Sequence, residues 1–246
     1  MTVNRKFRLV LALVLAIVLI ALAPRQALVQ TVSEEQLTTV AVNMHEQLGR
    51  ISMIKSTIIA GKLEGVRDPA IWLADHETIA GLPADFEPYI ATMRTHARHV
   101  IEAEDLISAA ESVSKMATTC GACHEDNGID LEFGFDQRPR EDVEDVVTHM
   151  QRHQWAADQL WDGLIGPSDR AWKRGTGMLI DVPLASDDVT IATEHHAEIG
   201  NITRRLHDLG SIGAGTVTPD ERSKLYGEII GLCADCHVLL GRGPVN

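Results

Sequence analysis

Two five-residue segments, Cys120-Gly121-Ala122-Cys123-His124 and Cys233-Ala234-Asp235-Cys236-His237, are copies of C-x-x-C-H, and between them they use all four cysteines of the chain. Two thiols three positions apart lie on one helical turn, where both can add to the vinyl groups of a haem. The adjacent histidine then offers its imidazole to the iron. The spacing therefore predicts two covalently bound haem c groups, attached through Cys120, Cys123, Cys233 and Cys236, with His124 and His237 as iron ligands. Other readings account for less. The paired cysteines of a zinc ribbon lie about 15 to 20 residues apart, whereas Cys123 and Cys233 are 110 apart. A thioredoxin-like pair needs a strand-helix-strand setting, which the helical pattern around both motifs does not offer. Structural disulfides suit an exported protein but leave both histidines without a role.

A chain of 246 residues is long enough for one large or two ordinary domains, and the separation of the motifs favours two. Only 4% of residues are aromatic. Two small bundles with so few rings have thin cores, to which a buried porphyrin would add apolar contact. At the N-terminus, Arg5, Lys6 and Arg8 precede an uncharged apolar run from Leu9 to Ala23. Residues 1–27 thus read as a secretory signal peptide or an N-terminal membrane anchor: the run falls short of the roughly 20 residues that span a bilayer. The expected location is periplasmic or extracytoplasmic, soluble or anchored to the inner membrane. Without those three cations the net charge falls from −13 to −16, which argues against nucleic acid and suits docking to basic redox partner proteins.

The halves resemble each other. An offset of 100 aligns Trp72 with Trp172, Pro83 with Pro183 and His96-Ala97 with His196-Ala197; an offset of 106 aligns Met44, Ile54, Ile58 and Ile59 with Met150, Leu160, Leu164 and Ile165. Toward the haem motifs the offset becomes 113, which a loop gained around Ser211 to Thr218 would explain. This is an internal duplication, and each copy reads as four helices. In the first copy they open at Ser33, at Asp68-Pro69, after Pro83 and near Glu104; in the second, near Arg140, Ser168, Ser186 and Thr218. No strand pattern interrupts them. The expected fold is all-α: one four-helix bundle over residues 31–127, a Gly-containing linker at 128–139, and a second bundle at 140–246.

A helical bundle with C-x-x-C-H near the end of its fourth helix resembles the class II c-type cytochromes, the cytochrome c′ group, here in tandem. The resemblance implies that His124 and His237 are the proximal ligands. It also implies that a first-helix residue faces the other side of each haem, a ligating methionine in some members and an apolar residue beside five-coordinate iron in others. Class II bundles often dimerise, so a homodimer is also expected.

The inward stripe of the first helix reads Leu37, Val40, Met44, Gln47, Ile51, Ile54, Ile58 in one copy and Val143, Val146, Met150, His153, Ala157, Leu160, Leu164 in the other. Met44 and Met150 share a register and are the expected sixth ligands. His153 faces the same way and is the rival in the second copy; His45 sits beside the stripe in the first. Trp72 and Trp172 read as duplicated core aromatics, and Glu104 and Asp105 suit a helix N-terminus. The functional expectation is an exported dihaem cytochrome that passes single electrons between partners and is not an enzyme. Binding of a diatomic gas at five-coordinate iron is the alternative, followed by a dihaem peroxidase.

Overall fold

The computed structural model describes residues 34–76, 82, 84–131, 133, 137–139, 145–181, 195–241 and 243. The expected signal or anchor lies outside them, as do the proposed starts at Ser33, Pro83, Arg140 and Ser186. The described residues hold eight α-helices and no strand: α1 Glu34–Ile59, α2 Arg67–Asp75, α3 Glu87–Glu102, α4 Leu106–Asp126, α5 Val146–Ile165, α6 Asp169–Asp181, α7 His196–Ala214 and α8 Pro219–Leu240. None of these helices is long and apolar enough to cross a membrane.

Local chemistry explains the boundaries. The Asp105 side chain accepts from the Ser108 amide to start α4, and Asp145 accepts from Thr148 to start α5. Thr218 and Glu221 form a reciprocal capping box at α8, with Pro219 in the first turn. Gly241, at φ 57°, closes α8 in the left-handed conformation that glycine adopts without strain.

The repeats superpose on two offsets rather than three. At 106, buried Ile51, Ile54, Ile58 and Ile59 correspond to buried Ala157, Leu160, Leu164 and Ile165, and the helical stretch 63–75 corresponds to 169–181. At 113, Met93, Ala97 and Val100 correspond to Leu206, Gly210 and Gly213, and every buried residue of α4 has a buried counterpart in α8. The extra seven residues therefore fall between α6 and α7. They are not at Ser211 to Thr218, where α7 continues to Ala214. The match of His96-Ala97 with His196-Ala197 also fails, because the first pair lies in the middle of α3 and the second in the first turn of α7. Nor are the tryptophans equivalent. Trp172 is buried and donates to the Gly213 carbonyl at 2.9 Å, whereas Trp72 is half-buried between the Arg50 guanidinium and the His76 ring.

Residues 39–246 form one compact unit instead of dividing at the linker. The reason is that the repeats interleave. Helices α4 and α8 cross antiparallel: buried Ser114 donates to the Ser223 carbonyl, and Gly227 sits against Ala110 and Glu111, where a Cβ would lie 3.2 Å from the Glu111 Cα. Lys55 of α1 reaches Asp158 of α5 at 2.6 Å with its ammonium over the Trp161 ring. Leu131 and Phe133, within the expected linker, pack on the shared core.

Candidate functional site

Both C-x-x-C-H segments lie in the last turns of their helices, Cys120 to His124 in α4 and Cys233 to His237 in α8. The helical pitch brings the paired sulfurs onto one side. No disulfide joins the four thiols. Burial, and then the neighbouring thiol, push Cys120 and Cys233 up to about 12. Cys123 and Cys236 are also raised, chiefly by burial. Such groups stay protonated at neutral pH, which is unlike the activated thiolate of a redox pair.

The two motif histidines are held alike. His124 Nδ1 lies 2.8 Å from the carbonyl oxygen of Ile165, and His237 Nδ1 lies 2.5 Å from that of Ile59. A carbonyl can only accept, so Nδ1 carries a proton, and in the neutral form of the ring the lone pair is on Nε2. Ile59 and Ile165 are equivalent positions, at the ends of α1 and α5. Each motif histidine is thus oriented by the first helix of the other repeat. Close packing supports this arrangement. A Cβ on Gly121 would lie 2.1 Å from the Leu164 carbonyl, whereas its counterpart Ala234 is fully buried beside Gly61.

The first helices carry the remaining candidates. Met44 and Met150 are both half-buried. His45 is exposed and bonds the Ala41 carbonyl of its own helix at 2.7 Å, which turns it away from the stripe. His153 is half-buried with its Nε2 covered, and with His149 and His207 it forms a cluster whose ligand nitrogens all lie within 4.8 Å of one another. Burial, and then the neighbouring His149, His207 and His237, hold the His153 imidazole well below its ordinary pKa, so it is neutral. Neither His149 nor His207 stood out in the sequence. The His149–His153 spacing of four, one helical turn, was the available signal, but nothing local points from α5 to His207 on α7.

The same three positions in the first repeat are Asn43, Gln47 and Arg94. They form a polar network there: Gln47 donates to Asn43 Oδ1 at 2.6 Å, Asn43 Nδ2 lies 3.1 Å from His76 Nε2, and Arg94 donates to the His76 carbonyl. The repeats therefore carry different chemistry at this set of first-helix and third-helix positions. Where α5 meets α8, the indole nitrogen of Trp161 and the hydroxyl of Tyr226 are buried with no hydrogen-bond partner, their rings 5.7 Å apart. Compared with protein-family models, curated proteins and solved structures, the chain matches none.

Proposed function

We propose that the protein is an exported dihaem c-type cytochrome, two interleaved four-helix haem bundles that carry single electrons between partner proteins. The observation that carries this reading is the pairing of each motif histidine with a main-chain carbonyl. A hydrogen bond at Nδ1 selects the tautomer, fixes the ring plane and raises the basicity of Nε2, which is what an axial iron ligand needs. Cys120 and Cys123 would hold one haem with His124, and Cys233 and Cys236 the other with His237.

When bound, the haem supplies the one-electron redox chemistry, and the chain supplies ligands, burial and orientation. Met44 and Met150, in register on the first helices, are the candidate sixth ligands, and a filled sixth position suits electron transfer better than ligand binding. The acidic chain favours a basic donor or acceptor.

The test is the intact mass of protein matured in a host that attaches haem to C-x-x-C-H. The expected gain is two haems. A gain of one haem or none rejects the dihaem reading. The reduced protein should resist carbon monoxide at one haem at least; ready binding at both replaces the carrier with a gas-binding protein.

A further inference from the structure

The repeats of a duplicated haem protein need not end up with the same iron chemistry, and here they differ at three equivalent positions on their first and third helices. Where the first repeat has Asn43, Gln47 and Arg94, the second has His149, His153 and His207. The first set satisfies itself through hydrogen bonds that include His76. The second places three imidazoles together, with ring centroids 4.3 Å apart for His149 and His153 and 5.9 Å apart for His153 and His207. His153 Nε2 is buried there without a hydrogen-bond partner. An unpaired buried nitrogen of this kind costs free energy unless something binds it.

The packing of α5 on α8 shows which motif the cluster serves. Trp161 meets Tyr226, and from that contact the helices run antiparallel toward His153 and His237. His153 lies eight residues before Trp161, about 12 Å along the axis, and His237 lies eleven residues after Tyr226, about 16 Å along its own. These rises bring the two histidines to nearly the same level along the paired helices. Met150 lies on the same helix, one turn nearer its start, and like His153 is half-buried, but only the His153 ring carries a covered nitrogen with no partner.

We propose that His153 supplies the sixth ligand to the haem attached at the second motif, displacing Met150 from that role, while Gln47 at the equivalent place leaves the first haem without an imidazole from its first helix. The inference rests on haem attachment at both motifs. It makes the irons inequivalent: bis-histidine ligation favours oxidised iron more than histidine-methionine ligation does, so the second haem has the lower potential. His149 and His207 pack around His153 and act as positioning residues.

The experiment uses the full haem-loaded protein, with haem content confirmed by mass, so that failure of haem attachment is seen separately. His153→Gln, which installs the residue of the first repeat, should convert one of the two haems from bis-histidine low-spin to another state by electron paramagnetic resonance. That haem should then bind carbon monoxide, while the other signal stays unchanged. His153→Met guards against a folding defect: it should keep the iron low-spin and raise the lower of the two potentials in a redox titration. Two haems with unchanged spectra and potentials in both variants would overturn the proposal. So would loss of the bis-histidine signal in His149→Gln or His207→Gln but not in His153→Gln, or one equivalent of zinc bound by the parent and lost in His153→Gln with both haems unaltered.

Discussion

His124 and Ile165 are joined by a 2.8 Å hydrogen bond from the imidazole to the main chain, across 41 residues and from one repeat to the other. Its counterpart joins His237 to Ile59. A carbonyl at the end of a helix has no partner within that helix, so it is free to accept from an outside donor. Each repeat thus orients the other's motif histidine, and under the proposed dihaem reading the two sites should not behave as independent modules.

Replacing Cys120 and Cys123 together with alanine should remove one haem and leave the other attached. Because residues 39–246 form one compact unit, the variant should still unfold in a single transition with a lower midpoint, and the signal of the remaining haem should shift. Two separate transitions in calorimetry, one at the parent's midpoint, would show the repeats to be autonomous.

Gly121→Ala should be damaging although alanine occupies the same place in the second motif. The new methyl would meet the Leu164 carbonyl at 2.1 Å, and the atom it meets is backbone. The expected cost is about 1–3 kcal/mol, with haem loading reduced at the first motif only. Gly49→Ala is the control, since nothing lies within 4 Å of its added carbon; removing a mid-helix glycine should stabilise by about 0.5–1 kcal/mol. Urea unfolding of both variants checks the pair.

Asp158→Asn should destabilise more than Lys55→Met. Lys55 is buried, its side chain 8% exposed, and its ammonium has Asp158 at 2.6 Å. Neutralising the carboxylate leaves that cation enclosed, at about 1–3 kcal/mol. Methionine instead keeps the apolar stem against Trp161 and removes the charge, at under about 1 kcal/mol. Equal losses for the two variants would exclude this account.

Acid should weaken the starts of α4 and α5. The amide of Ser108 bonded to Asp105, and that of Thr148 bonded to Asp145, hold both carboxyls below the ordinary carboxylate range. A pKa lowered on folding contributes stability above the unfolded value, about 3.9, and loses it as pH falls through the folded value. Asp105→Ala and Asp145→Ala should therefore lower the urea midpoint at pH 6 and lower it less at pH 3. A difference independent of pH would assign the effect to something other than the charged caps.

Much of the helical reading was available in one dimension. Thr218-Pro219-Asp220-Glu221 marks the start of α8 by the chemistry of its first turn, and the three-four spacing of Ile51, Ile54 and Ile58 identifies their buried face. Both are local properties, set within a turn or two of helix. The C-x-x-C-H segments are local too, since the pitch alone brings the two sulfurs and the imidazole together. The repeat alignment was less secure because isolated identities misled it. Trp72 and Trp172 look duplicated, yet one closes over Arg50 and His76 at the surface while the other fills the core.

Only the tertiary structure decided which buried face meets which. The periodicity of α1 says that a stripe is covered but not that α8 covers its end, so the pairing of His237 with Ile59 had no local signature. The same holds for His207, which joins His149 and His153 only because α7 packs across from α5. Contacts of that range depend on the shapes of whole helix faces and on close approaches such as Gly227 on Ala110. A period of 3.6 residues specifies a face but does not choose its partner.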